Sequence, residues 1–170
     1  LERAISENIP VELMIAMMVW LSGATGYEIP ELPAIKFLQP SELKSYAWGC
    51  EKVPVPQTSV DACNSKDTWD EETNSPLGLY DFETKTILLR EGFDINTVHD
   101  KSILLHELAH HLQYQNNKNE NAACLGELER EAYDLQDKWL KEKYDVDVYS
   151  TIGIDEFYLI IITQCREWMY

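Results

Sequence analysis

The strongest constraint in the chain is five residues long: His106-Glu107-Leu108-Ala109-His110. Around it Ile103, Leu104, Leu105, Leu108 and Leu112 recur at helical spacing, which predicts a helix over residues 98–116. Positions four apart on a helix share a face, so the two imidazoles turn toward one point. Glu107 is rotated by one residue and falls beside that point rather than on it. Two imidazoles so placed can share one metal ion, and the adjacent carboxylate can hold a water there and take its proton. The expectation is a single zinc ion bound by His106 and His110, with Glu107 as general base.

Zinc in a catalytic site usually has three protein ligands and one open position. A metzincin would place Gly at position 113 and His at position 116, where this chain has Gln113 and Asn116. The next helix, predicted over residues 126–144 with Leu128, Leu135, Trp139 and Leu140 as its apolar stripe, offers Glu127, Glu129 and Glu131. At this point the chain resembles the gluzincin metallopeptidases, in which H-E-x-x-H is followed by a glutamate helix, often E-x-x-A-D. Glu129-Arg130-Glu131-Ala132-Tyr133 matches E-x-x-A, with Tyr133 where the family has Asp. The resemblance covers residues 78–140. It implies a zincin-like fold, Glu129 as third ligand, Ala132 as the small residue that lets helices approach, and hydrolysis of a peptide or protein substrate. The family's Asp supports the first zinc histidine, a role that fixes an imidazole tautomer. Tyr133 does not supply that carboxylate, and Asp134 is one residue late. Glu131 is the rival ligand, and Glu127, at the helix start, is a weaker one.

Other residues have smaller claims. His111 points about 100° from His110, which suits a surface or supporting residue. His99, seven before His106, falls on the same face at the helix start. Gln113 and Tyr114 lie one turn beyond His110, where they would line a cleft. Tyr133, Tyr149 and Tyr158 are candidate donors to the oxyanion of a tetrahedral intermediate.

The rest of the chain frames this motif. At 170 residues and 45% hydrophobic, it suits one domain spanning 1–170. With 14 basic against 30 acidic residues the net charge is −16, which argues against nucleic acid and anionic membranes as partners. The uncharged runs over 13–21 and 157–165 are less than half the roughly 20 residues of a membrane span. The four cysteines, Cys50, Cys63, Cys124 and Cys165, have no C-x-x-C spacing and favour two disulfides over a thiolate metal site. Of three possible pairings, Cys50–Cys63 would close a short polar loop and Cys124–Cys165 would tie the last helix to the motif region. Disulfides, with a start at Leu1 consistent with a removed leader, point to a secreted or periplasmic protein.

A buried helix is expected over 11–21, ended by Gly23 and Gly26. Five prolines between residues 29 and 57 read as extended or looped chain with a short helix near 41–48. Residues 61–76 read as a surface loop. Residues 78–80 and 86–90 read as a hairpin with its turn at 81–85. A last helix is expected over 155–168. The class is α+β: mainly helical, with a small antiparallel sheet packed on the H-E-x-x-H helix and the glutamate helix. An exposed edge of that sheet could pair with an extended peptide. The competing expectation is a zinc-stabilised binding module on the same scaffold, without turnover.

Overall fold

The computed structural model describes residues 9–47 and 76–165. The expected Cys50–Cys63 bridge and most of the 61–76 loop lie outside the described residues. In chain order the elements are α1 (Val11–Thr25), β1 (Ala34–Leu38), α2 (Pro40–Ala47), β2 (Gly78–Asp81), β3 (Thr86–Arg90), α3 (Val98–Gln115), a 3-10 turn (Lys118–Glu120), α4 (Leu125–Tyr144), α5 (Val148–Ile152) and α6 (Glu156–Thr163). They fall into two compact units, one formed by residues 1–33 with 94–170 and the other by Ala34–Phe93.

The first unit is helical, and α3 is its central element. Thr97 caps it by accepting from the Asp100 N–H, and Asp100 in turn accepts from Asp94 N at 2.6 Å. From Ser102 to Gln113 every residue of α3 is buried. A helix buried all round is a core helix, so the motif is an interior feature. Helix α1 contributes Met14, Met17, Met18 and Leu21, one stripe at helical spacing. Its end is set by Gly26, at φ 78° with its N–H on Ser22 O, while Gly23 lies inside the helix. Helix α4 contributes Leu128, Ala132, Leu135, Gln136, Trp139 and Leu140.

The start of α4 is clamped to the end of α6. Cys124 and Cys165 are disulfide-bonded, as the sequence suggested. Gly126 sits so close that a Cβ there would meet the Thr163 carbonyl oxygen at 2.7 Å. Helix α6 stops at Thr163, with Gln164 extended behind it, rather than continuing toward residue 168. Helix α5 is a single short element capped by Asp147, whose carboxylate accepts from Ser150 N. No helix among the described residues is long and apolar enough to cross a membrane.

The second unit holds a three-stranded sheet of order β1-β3-β2. The expected hairpin is present, with β2 antiparallel to β3 and Tyr80 opposite Ile87. The sheet as a whole is mixed rather than antiparallel, because β1 pairs parallel to β3, Ala34 opposite Thr86. The proline-rich stretch therefore contains a strand, set between Pro33 and Pro40. Proline at either boundary of an edge strand leaves its ladder intact. Strand β3 is central, with Thr86, Ile87, Leu88 and Leu89 all buried. The protein is thus mainly helical with a small mixed sheet, an α+β class.

Gly126→Ala tests the clamp. Overpacking against backbone costs about 1–3 kcal/mol, so the oxidised variant should melt several degrees below the wild type. An unchanged midpoint would show that the two helix ends are not in contact at this point.

Candidate metal centre

Three of the residues singled out by sequence converge. His106 and His110 project from one face of α3, and Glu129 from the first turns of α4 faces them. Glu129 Oε2 lies 3.3 Å from His106 Nε2, and Glu129 Oε1 lies 3.3 Å from His110 Nε2. The two Nε2 atoms are 3.2 Å apart. One potential ligand atom from each residue falls within a 4.8 Å span, so the group has the arrangement to hold a metal ion. Both imidazoles are buried, and Glu129 is 38% exposed. The site is therefore anchored on the interior side and open on the carboxylate side.

The tautomers of the two histidines follow from their neighbours. His106 Nδ1 is 3.0 Å from Gln136 Oε1. Gln136 Nε2 donates to Ser102 Oγ at 3.0 Å, and Ser102 has already spent its proton on the His99 carbonyl at 2.7 Å. The Gln136 oxygen must therefore be the atom facing His106, and Nδ1 must carry the hydrogen. The same logic holds for His110. Its Nδ1 is 2.9 Å from Gln113 Oε1, while Gln113 Nε2 donates to the Leu128 carbonyl at 2.9 Å and to Glu131 Oε2 at 2.7 Å. Neither acceptor has a proton to offer, so the amide cannot be turned round. Each Nδ1 is a donor, and in the neutral rings both Nε2 lone pairs face Glu129 and each other. Such a convergence of acceptors is satisfied by a proton or by a metal ion between them.

The electrostatics agree. Burial disfavours the charged form of His110, yet the hydrogen bond and charge of Glu129 outweigh it and push the metal-free imidazole up to about 9. Burial acts to raise Glu129, but its hydrogen bonds to His106 and His110 hold it well below the usual carboxylate range. A proton on His110 thus occupies the gap that a metal could fill.

Glu107 is set apart. It is buried, and burial drives its pKa up, against the pull of His106 and His110 and with a further push from Glu129. A buried carboxylate beside the converging groups has the disposition of a proton acceptor.

The remaining candidates separate cleanly. Glu131 is not part of the converging group: its carboxylate accepts from Gln113 and, at 2.6 Å, from the Tyr27 hydroxyl. Glu127 accepts from Ala123 N at the start of α4. His111 is buried rather than on the surface, and its Nε2 donates to the Glu31 carbonyl at 2.7 Å. His99 bonds to Asp100 at 2.6 Å and is not part of the group. Asp134 is exposed, and the support it was considered for comes from Gln136, one turn after Ala132. Gln113 is wholly buried, so it backs the site instead of lining it. Tyr133 packs against His106, ring centroids 4.4 Å apart and planes tilted by 58°. Burial first, and then the charges of Glu129, Tyr158 and Glu107, hold its hydroxyl protonated. Tyr149 and Tyr158 are exposed. Gln136 was open to discovery: with Glu129, Ala132 and Tyr133 it completes an i, i+3, i+4, i+7 face of α4.

The chain belongs to the family described as Domain of unknown function (DUF6647), whose model matches residues 7–166. Neither a curated protein nor a solved structure matches it.

In the metal-free protein, Glu129→Gln should lower the His110 pKa from about 9 toward the ordinary histidine value of about 6.5, because burial is then opposed only by Glu107 and the Gln113 hydrogen bond. The measurement is an NMR titration of the imidazole protons. A pKa that stays near 9 would mean that Glu129 is not the group facing His110.

Proposed function

We propose that this protein is a zinc-dependent metallopeptidase in which His106, His110 and Glu129 hold one ion and Glu107 is the general base. The observation that carries this reading is the pair of histidines held with both Nε2 lone pairs facing one carboxylate. The spacing of the two imidazoles suits zinc. A tetrahedron with bonds of about 2.0–2.2 Å has edges of about 3.3–3.6 Å. The two Nε2 atoms are 3.2 Å apart, and each lies 3.3 Å from a different oxygen of the Glu129 carboxylate. Two nitrogens and one carboxylate oxygen are also a donor set that zinc favours in catalytic sites.

When bound, the ion would polarise the scissile carbonyl and acidify a water at its open position. The chain's own residues do the rest. Glu107 takes the proton of the attacking water and passes it to the leaving nitrogen. Burial raises its pKa in the metal-free protein, and a carboxylate with a raised pKa is the stronger base. Gln113 and Gln136 keep the imidazoles aimed. Tyr133 walls the His106 side and presents a protonated hydroxyl near the reacting centre, fit to donate to a developing oxyanion. The Cys124–Cys165 disulfide supports an oxidising, extracytoplasmic location within this reading.

Glu107→Gln is the deciding variant. It should bind zinc with wild-type stoichiometry and lose about 10²–10⁴-fold in peptide hydrolysis. Loss of zinc in His110→Ala and Glu129→Ala, by metal analysis of purified protein, should accompany it. A wild type that binds zinc but cleaves no peptide from a broad library would replace the peptidase reading with a zinc-stabilised binding module.

A further inference from the structure

The hydrogen-bond chain behind His110 does not end at Gln113. It runs from His110 Nδ1 to Gln113, from Gln113 Nε2 to Glu131 Oε2, and from Glu131 Oε1 to the hydroxyl of Tyr27. Tyr27 lies 104 residues before Glu131 and outside both ligand-bearing helices. Its own position is independently determined. Its N–H donates to Thr25 Oγ1 at 3.1 Å, and its carbonyl accepts from Ser22 Oγ at 2.6 Å. The next residue, Glu28, exchanges two hydrogen bonds with the Asn116 side chain, its N–H donating at 2.9 Å and its carbonyl accepting at 3.0 Å. Further along, the Glu31 carbonyl accepts from His111. Tyr27 is thus tied back to the end of α1, and the segment that follows it is pinned to α3 and its C-cap.

Resting on the zinc reading above, we propose that Tyr27 is a positioning residue for the metal centre, acting on His110 through Glu131 and Gln113. The physical reason lies in side-chain freedom. Glu131 and Gln113 are long and flexible, and each loses rotamer entropy when it is held. Glu131 is only half-buried, so without the Tyr27 donor it can turn to water. Gln113 would then keep the Leu128 carbonyl but lose the negative charge behind it. That charge polarises the amide toward His110 and strengthens the imidazole as a ligand. The hydroxyl of a fixed tyrosine holds the far end of the chain still. A residue near the N-terminal helix thereby sets how well a ligand 83 positions later is presented, 110 minus 27.

The test measures zinc affinity directly, by competition with a chromogenic chelator, on the full chain. Gln113→Leu should weaken binding by about 10–100-fold, the usual effect of removing a ligand's supporting partner. Tyr27→Phe, which removes one oxygen and leaves the ring packed, should weaken it by about 3–10-fold, the worth of one hydrogen bond. In the Gln113→Leu background, Tyr27→Phe should have no further effect, because the relay is already cut. A role in packing alone would give losses that simply add. Should Gln113→Leu fail to fold, Glu131→Ala takes its place in the cycle with the same expectation. Wild-type and Tyr27→Phe proteins that bind zinc equally, or losses that add, would overturn the relay while leaving the zinc site standing. A wild type that takes up no zinc would overturn the site itself.

Discussion

Two hydrogen bonds, from His106 Nδ1 to Gln136 and from His110 Nδ1 to Gln113, carry the rest of the structure's logic. Without them each ring could flip or tautomerise, and the Nε2 lone pairs would not converge. Each bond depends on a further one behind it, because an amide points its oxygen forward only if its nitrogen is engaged. Ser102 and the Leu128 carbonyl provide that engagement. Those partners lie on α3 and α4 themselves. The relative rotation of the two helices is therefore locked to the chemistry. Ala132, wholly buried at the interface face of α4, keeps the helices near enough for amides to reach imidazoles.

The cost of this arrangement is polar burial. Ser102, His106, Glu107, His110, His111 and Gln113 all lie inside, on a helix otherwise built of Leu and Ile. Buried polar groups are tolerated when they are partnered. Among the described residues no fully enclosed side-chain nitrogen or oxygen lacks a hydrogen bond. Glu107 stands apart: a buried carboxylate whose pKa burial raises. Breaks in local consistency concentrate where function is, and this one sits beside the converging side chains.

Much of this was legible in the sequence, and the boundary has physical causes. Helical periodicity located α3 and α4 to within a residue or two, and the i, i+4 spacing made the histidine pair unambiguous. Choosing Glu129 over Glu131 needed a family resemblance, since two glutamates two apart on a helix differ only by rotation. The structure separates them by giving Glu131 its own partners, Gln113 and Tyr27. The supporting glutamines were harder. An amide has no charge signature, and its role depends on what lies across the interface. Asp134 was the chemically obvious helper, but it faces water. His111 looked external because a helix wheel does not say that a helix is surrounded. Strand β1 was hidden by its flanking prolines and by a pairing partner about 50 residues on, which no local pattern encodes.

His106, His110, Glu129 and the two glutamines that orient the imidazoles all lie between Ser102 and Gln136, in one helical hairpin turned by Lys118–Glu120. Assembling them closes only short loops, so the entropic penalty is small and the contacts are of the kind that form early. The Tyr27 bond is different, joining parts of the chain 104 residues apart. Closing that longer loop carries the larger entropic penalty, so the Tyr27 bond is a non-local contact of the slow-forming kind, and the hairpin contacts are of the fast local kind.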